Sequence, residues 1–162
     1  MPSIAVIYNK KPAIRSKAER IIRFLKNAGV TIKSPQHKDV EFLLALGGDG
    51  TILHAVDSSI NHNLPILSVC LGKIGFLSEL LEKEAISGVQ KALNKKYKLD
   101  SRHMLKAEVY RNHKKIHTGY ALNDVVVSNA RFARIVDIAT MINGTRTAKY
   151  RADGVIVCTA TG

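Results

Sequence analysis

The sequence predicts an α/β domain followed by an incomplete all-β domain. Three observations carry that prediction. Short apolar runs alternate with helix-period segments through the first hundred residues. From about Asp100 the apolar residues recur with a period of two. A glycine-rich loop stands between a buried run and the start of a helix. The chain has 162 residues, 46% of them hydrophobic, which suits an ordinary globular protein of one domain or two small ones.

Ile4 to Tyr8 is short, apolar and rich in β-branched residues, as a buried parallel strand requires. After Pro12, apolar residues fall at Ile14, Ala18, Ile21, Ile22 and Leu25, one stripe of a helix, with Gly29 placed to end it. Val30 to Ile32 is the next strand. Phe42 to Leu46 is another buried strand and runs into Gly47-Gly48-Asp49-Gly50-Thr51. Ile52 to Ser58 then reads as the opening of a helix, and Leu64 to Cys70 as a strand with Pro65 at its start. Glu79 to Leu93 has helical period, interrupted by Gly88. Beyond Asp100, Leu105, Ala107 and Val109 alternate with Lys106, Glu108 and Tyr110, and strands are expected at Lys115–Tyr120, Asp124–Ser128 and Ile135–Ile142. Asn143-Gly144 is a strong hairpin signal, because a type I′ turn needs positive φ at both central residues. Tyr150 to Thr159 reads as one closing strand. The division falls near Lys98, with the α/β domain at 1–98 and the start of the all-β domain at 99–162. About five strands with no second layer leave apolar faces and edges open, so the chain reads as a fragment.

Several classes are excluded or disfavoured at this level. No apolar run approaches the ~20 residues of a membrane-spanning helix, and the N-terminus lacks the basic region of a signal peptide. A cytoplasmic protein is the expectation. Cys70 and Cys158 both end strand-like runs and read as buried free thiols, and nothing has metal-ligand spacing. The net charge of +12 admits anionic partners. Its lysines are scattered, however, in Lys10-Lys11, Lys95-Lys96 and Lys114-Lys115, which reads mainly as solvated surface. A nucleic-acid-binding module would interleave aromatic and basic residues on one sheet face; only Tyr110 and Tyr120 come near this.

The glycine loop carries chemistry. Three glycines in four positions oppose folding entropically and need a reason. After a parallel strand they lie at the carboxyl edge of the sheet, where free N–H groups and a helix N-terminus can hold phosphate oxygens. Asp49 is out of place there unless it meets a metal or takes a proton from an attacking hydroxyl, which points to phosphoryl transfer. The alternative is a structural turn whose aspartate caps the helix. Neither common nucleotide fingerprint is present.

Leu46-Gly47-Gly48-Asp49-Gly50-Thr51 resembles a signature shared by NAD kinases, diacylglycerol-type lipid kinases and phosphofructokinases. Gly72-Lys73-Ile74-Gly75-Phe76-Leu77, Asn123-Asp124 before Val125-Val126-Val127, and Asp153-Gly154 leading through a strand to Thr159-Ala160-Thr161-Gly162 narrow it. The four in this order resemble the ATP- or polyphosphate-dependent NAD kinase family, truncated at its C-terminal end. The resemblance implies a Rossmann-like, phosphofructokinase-like α/β domain and transfer of a γ-phosphate to the 2′-hydroxyl of the adenosine ribose of NAD. It implies Asp49 as the catalytic carboxylate, with Gly47, Gly48, Gly50 and Thr51 forming the phosphate loop. Phe76, Asn123, Asp124, Arg151, Asp153 and Thr161 would bind NAD, Asp153 across a subunit interface in family oligomers. Magnesium would accompany ATP, polyphosphate would be another donor, and a homo-oligomer, dimer or tetramer, is expected, with no membrane or nucleic-acid partner. His54 reads as helix surface or core.

The sequence departs from the family pattern at Asp124, where glutamate is usual, and at Ala160, where proline is usual. It also stops at Gly162, where family members continue into a stretch that completes the NAD pocket. The alternatives left open are a diacylglycerol-type lipid kinase and an inactive fragment that binds NAD.

Overall fold

Residues 1–130 and 134–162 are described by a computed structural model. They fall into two units, Met1–Ser101 and Arg102–Gly162. In the first unit the order is β1 (Ser3–Tyr8), α1 (Pro12–Asn27), β2 (Thr31–Ile32), β3 (Val40–Gly47), α2 (Asp49–His62), β4 (Ile66–Cys70), β5 (Leu80–Leu81), a 3-10 turn over Glu82–Glu84, and α3 (Ala85–Leu93). The five strands make one parallel sheet in the order β2-β1-β3-β4-β5.

The two-residue period of the strands sorts their side chains onto two faces. Ile4, Leu44, Leu46 and Val69 meet Ala18, Ile21 and Leu25 of α1 and Ala85, Val89 and Ala92 of α3. Alternate residues Ala5 and Leu43, and then Ala45, turn the other way; Ala45 meets Ile52 and Ala55 of α2. A strand covered on both faces must be apolar at every position, which is why Phe42 to Leu46 reads as an uninterrupted run. Burying each such leucine contributes roughly 1.5–3 kcal/mol.

The caps follow local rules. Pro12 opens α1 at its first turn, where a missing N–H is harmless, and Gly29 adopts a φ of +84° just past its end. The segment Glu79–Leu93 corrects the expectation of one helix. Leu80 and Leu81 instead pair in parallel with Val69 and Cys70, and the helix proper begins only at Ala85. The Leu81 N–H donates to the Glu84 carboxylate at 2.8 Å, which turns the chain from strand into helix. Gly88 belongs to α3; a Cβ there would meet Leu80 Cδ1 at 2.2 Å, so its absence lets helix and edge strand come close.

Among the described residues the second unit has six strands in three antiparallel ribbons: β6 (Leu105–Arg111) with β7 (Lys114–Ala121), β8 (Asp124–Ser128) with β11 (Gly154–Cys158), and β9 (Val136–Ile142) with β10 (Thr145–Ala152). Asn143 and Gly144 have φ of 50° and 80°, the positive pair the hairpin requires. The single strand expected over Tyr150–Thr159 is two, parted at Asp153, and among the described residues the expected five strands are six. No described residue of this unit is buried. That corrects the reading of the cysteines: Cys70 is buried in the sheet, whereas Cys158 is exposed. No helix is long and apolar enough to cross a membrane among the described residues.

One ion-pair cluster joins α1 to the entry of α3. Lys17 Nζ and Arg20 Nη2 lie 2.8 and 2.5 Å from the two oxygens of Glu82. Lys17, hydrogen-bonded to it, holds the Glu82 carboxyl below its ordinary 4.5, against a smaller opposing effect of desolvation. Since the folded form has the depressed value, the stabilisation is complete above the ordinary value and fades as pH falls through the folded one. Glu82→Gln is expected to lower stability by about 0.5–1 kcal/mol at neutral pH. Urea unfolding should show the gap to wild type closing as pH is taken below 4.5.

Candidate functional site

The strand order creates one place suited to a ligand. From β1 the chain steps to β2 on one side, then crosses to β3 on the other. The connections after β1 and β3 therefore leave in opposite directions, and at such a switch point open parallel sheets receive ligands in a crevice beyond the carboxyl ends of the strands. Tyr8 lies in register with Leu46, and the Asn9 N–H donates to the Leu46 carbonyl at 3.3 Å, so the two strand ends stay side by side. Asn9 Oδ1 accepts the Lys11 N–H at 2.9 Å and starts α1. The Gly47–Gly50 segment ends β3 at this crevice.

Its three glycines answer to different demands. A Cβ on Gly47 would lie 2.1 Å from Thr51 Oγ1 and 2.9 Å from Thr51 Cβ, and Thr51 is buried. Gly47 is therefore required by packing within the chain. Gly48, the N-cap of α2, has φ −112° and ψ −169°, which any residue adopts. A Cβ on Gly48 or Gly50 would meet nothing within 4 Å. Neither conformation nor internal contact among the described residues demands glycine at those two positions, which leaves open space beside the backbone.

Asp49 is the first residue of α2, not a residue of the preceding turn, and the N-cap beside it makes no side-chain hydrogen bond. Its carboxylate reaches the loop after β4. Oδ2 accepts the Phe76 N–H at 2.9 Å and Oδ1 accepts the Leu77 N–H at 3.2 Å. The expected alternative, an aspartate that caps its own helix, is thus not what the side chain does. Each oxygen keeps a second lone pair for another donor. Phe76 itself is 97% exposed. A phenylalanine so fully in water, on a loop tied down by hydrogen bonds, is no part of a core.

Positive charge accumulates at the same edge. Lys10 and Lys11 follow β1 and Lys73 lies on the loop after β4. No carboxylate pairs with any of the three among the described residues, whereas Lys17, Arg20, Lys33 and Lys95 are all paired. His54 is exposed on α2.

In the second unit, Asn123, Asp124 and Thr161 come together at one end of the β8–β11 ribbon. The Thr159 N–H donates to the Asn123 carbonyl at 2.9 Å, and Thr159 Oγ1 donates to the Leu122 carbonyl at 2.6 Å. The Thr161 N–H returns to Thr159 Oγ1 at 3.0 Å. Asn123 Nδ2 donates to Asp124 Oδ2 at 3.2 Å, so the shorter carboxylate is oriented by its neighbour. A Cβ on Gly162 would lie 2.5 Å from the Asn123 carbonyl oxygen, which explains the glycine. Asp153 stands at the other end, because Gly154 pairs with Ser128 and Cys158 with Asp124. Four residues of strand separate the two ends by about 14 Å. Arg151, exposed on β10 opposite Asp137, precedes Asp153 by two residues and is not part of the Asn123 end. Sequence reasoning missed the bond between Asp49 and residues 76–77; the one available signal was Gly75, a second glycine in the later motif.

Residues 10–97 match the ATP-NAD kinase N-terminal domain family. A curated NAD kinase of Chloroflexus aggregans is 40% identical over 124 residues, covering 76% of this chain and 45% of that protein. One of Symbiobacterium thermophilum is 33% identical over 181 residues, covering 100% of this chain and 64% of that protein. The chain therefore spans 45 to 64% of the length of these relatives. The crystal structure of yeast NADH kinase complexed with NADH is similar in fold, with a TM-score of 0.82 at 22% identity over 100% of this chain and 58% of that one. That of an NAD kinase from Archaeoglobus fulgidus in complex with ATP gives 0.65 at 23% identity over 96% of this chain and 60% of that one.

The packing of the loop makes a prediction that needs no ligand. Gly47→Ala is expected to destabilise the chain by roughly 1–3 kcal/mol, since Thr51 is β-branched and has nowhere to turn. Gly50→Ala should leave the melting temperature unchanged or raise it, because alanine gains up to about 1 kcal/mol in a helix. Thermal unfolding of the two variants side by side distinguishes the demands; equal losses would contradict the geometry.

Proposed function

The chain belongs to the NAD kinase family, and from that premise we propose that it serves to transfer the γ-phosphate of ATP to the 2′-hydroxyl of the adenosine ribose of NAD, giving NADP. The observation that carries this reading is the carboxylate of Asp49, fixed by two backbone N–H groups at a switch-point crevice and retaining free lone pairs. In the proposed reaction the ribose oxygen attacks the γ-phosphorus, its bond to the β-phosphate oxygen breaks, and ADP leaves. Asp49 receives or orients the proton that the hydroxyl gives up. Such transfers depend chiefly on positioning and on charge compensation. The room at Gly48 and Gly50, together with Lys10, Lys11 and Lys73, would receive the donor's phosphates; Gly47 and Thr51 hold the loop in shape. A chain of phosphates without a base would find the same contacts, so polyphosphate is a second donor to test.

Magnesium would arrive with the triphosphate. No three carboxylate, histidine or cysteine side chains cluster to cage a metal among the described residues. One carboxylate beside phosphate oxygens suits an ion that keeps most of its water and phosphate ligands. Bound there, it would neutralise charge on the transferred group.

Phe76 offers an exposed ring for the adenine of NAD. Asn123, Asp124 and Thr161 at one end of the β8–β11 ribbon, and Asp153 at the other, offer polar groups spaced for an extended dinucleotide rather than for one small molecule. Arg151 is assigned a phosphate or a neighbouring carboxylate. The proposal includes a cytoplasmic homo-oligomer, dimer or tetramer, in which Asp153 would serve a neighbouring subunit's nicotinamide.

The test is NADP formation from NAD, magnesium and ATP. It is run on this chain and on a chimera continued with the C-terminal residues of the Symbiobacterium thermophilum relative. Asp49→Asn is expected to lower turnover by about 10²-fold or more, the usual contribution of a positioned proton acceptor, while KM for NAD changes far less. Gly48→Ala and Gly50→Ala should fold as well as wild type yet lose turnover. Binding of NAD without turnover in both forms would favour an NAD-binding fragment. Full activity of Asp49→Asn would overturn the proposed role of the carboxylate.

A further inference from the structure

The loop that follows β4 is held at three points. At its start, Cys70 Sγ donates to the Lys73 carbonyl at 3.1 Å. At its end, the buried hydroxyl of Ser68 donates to the Leu77 carbonyl at 3.2 Å and accepts the Glu79 N–H at 2.9 Å. Between these, the Phe76 N–H is held by one oxygen of Asp49 and the Leu77 N–H by the other oxygen of the same carboxylate. The loop also spans the carboxyl edge of the sheet. Gly72 lies beside Ile14 of α1 on one face, and Gly75 lies against Asp49 of α2 on the other.

The contact at Gly75 is the tightest of these. A Cβ placed there would lie 2.2 Å from Asp49 Oδ1, 2.3 Å from Cγ and 2.3 Å from Oδ2. All three carboxylate atoms would be overlapped at once, so no rotation about the terminal bond relieves the contact. The side chain of Asp49 would have to leave its position, and with it both backbone hydrogen bonds. Gly75 has no positive φ that would otherwise explain it, and Gly72 provides a comparison on the same loop. There a Cβ would meet only Ile14 Cδ1, at an ordinary 3.6 Å.

We propose that Gly75 is a positioning residue: its missing Cβ lets the 75–77 backbone close on the Asp49 carboxylate, and this single clamp both aims the carboxylate and tethers the loop that displays Phe76. The clamp therefore couples two sides of the site, the carboxylate that meets the ribose hydroxyl and the ring offered to the adenine. This rests on the proposed role of Asp49, but the clamp itself has a readout that does not.

The readout is amide hydrogen exchange at Phe76 and Leu77 in the unliganded chain. Both amides are expected to be protected in wild type. Both should exchange rapidly in Gly75→Ala, and equally in Asp49→Ala, which removes the carboxylate while leaving the glycine in place. Gly72→Ala should keep the protection. In the NADP-forming assay, Gly75→Ala should lose about 10²-fold in kcat, as displacement of a reacting group by an ångström does, and raise KM for NAD severalfold. Gly72→Ala should stay within about twofold of wild type in both. A merely structural glycine would lower the folded fraction without moving KM. Unprotected Phe76 and Leu77 amides in wild type, or protection that survives in Asp49→Ala, would sink the clamp whatever the activity. Intact protection in a wild type that forms no NADP would instead count against the catalytic reading alone and leave the clamp standing.

Discussion

Everything in the first unit is organised by the double burial of β3. The strand pairs with β1 on one edge and β4 on the other, and its side chains alternate between a face covered by α1 and α3 and a face covered by α2. With neither face open to water, the strand admits no polar residue from Phe42 to Leu46. It can end only where its last residues leave the sheet, and there it meets Gly47. The geometry of the glycine loop is thus set by the core. Thr51 is buried because α2 must return over Ala45, and Gly47 has no Cβ because Thr51 occupies that space. The unit's own packing holds the loop in shape before any ligand arrives.

The second unit has no such centre. Val126, Ile156, Met141 and Ile142 are more than half exposed, and no described residue is buried. Two-stranded ribbons are marginal on their own in water. What order they have comes from turn chemistry and from polar contacts within the ribbon. Asn143-Gly144 closes one, and Asn112 and His113, both with positive φ, close another. On β6, Glu108 accepts from Lys106, Tyr110 and Lys115, which together hold its carboxyl down to about 2. This is the pattern of a segment whose local pairing is specified while its apolar surface stays exposed.

What could be read from the sequence divides along the range of the interaction. β3, α1 and the Asn143-Gly144 turn were legible, because each depends on neighbours within one strand, one helix stripe or one dipeptide. The Glu79–Leu93 segment was misread because Leu80 and Leu81 satisfy a helical period and a parallel edge strand equally well; the partner, Val69-Cys70, lies eleven residues away in register. Tyr150–Thr159 reads as one strand because its apolar residues continue across Asp153, and only the change of partner from β9 to β8 shows the break. Cys158 looked buried by analogy with Cys70, since an apolar run does not reveal whether anything covers it. In the candidate site, Asp49 and the glycines stood out as a motif, and Phe76 as part of another. That the two motifs are one object was not legible, because hydrogen bonds across 27 residues leave no periodic trace.

That junction also decides how the glycine loop should be understood. Gly47 is glycine for the fold, and Gly48 and Gly50 have no reason inside the chain. Gly75 is glycine for the carboxylate. A motif read as one phosphate cradle therefore carries two separate constraints, Gly75 of the later motif adds a third, and they fail differently when broken. Loss of the first should cost stability, and loss of the second should exclude a ligand from a folded chain. Loss of the third would free Asp49 and Phe76 together. In the proposed reaction Asp49 and Phe76 would meet opposite ends of one nucleoside; two such groups are best fixed relative to each other, and a shared carboxylate does this. The same economy makes the arrangement intolerant: Asp49 cannot be adjusted for chemistry without also moving the loop that presents Phe76.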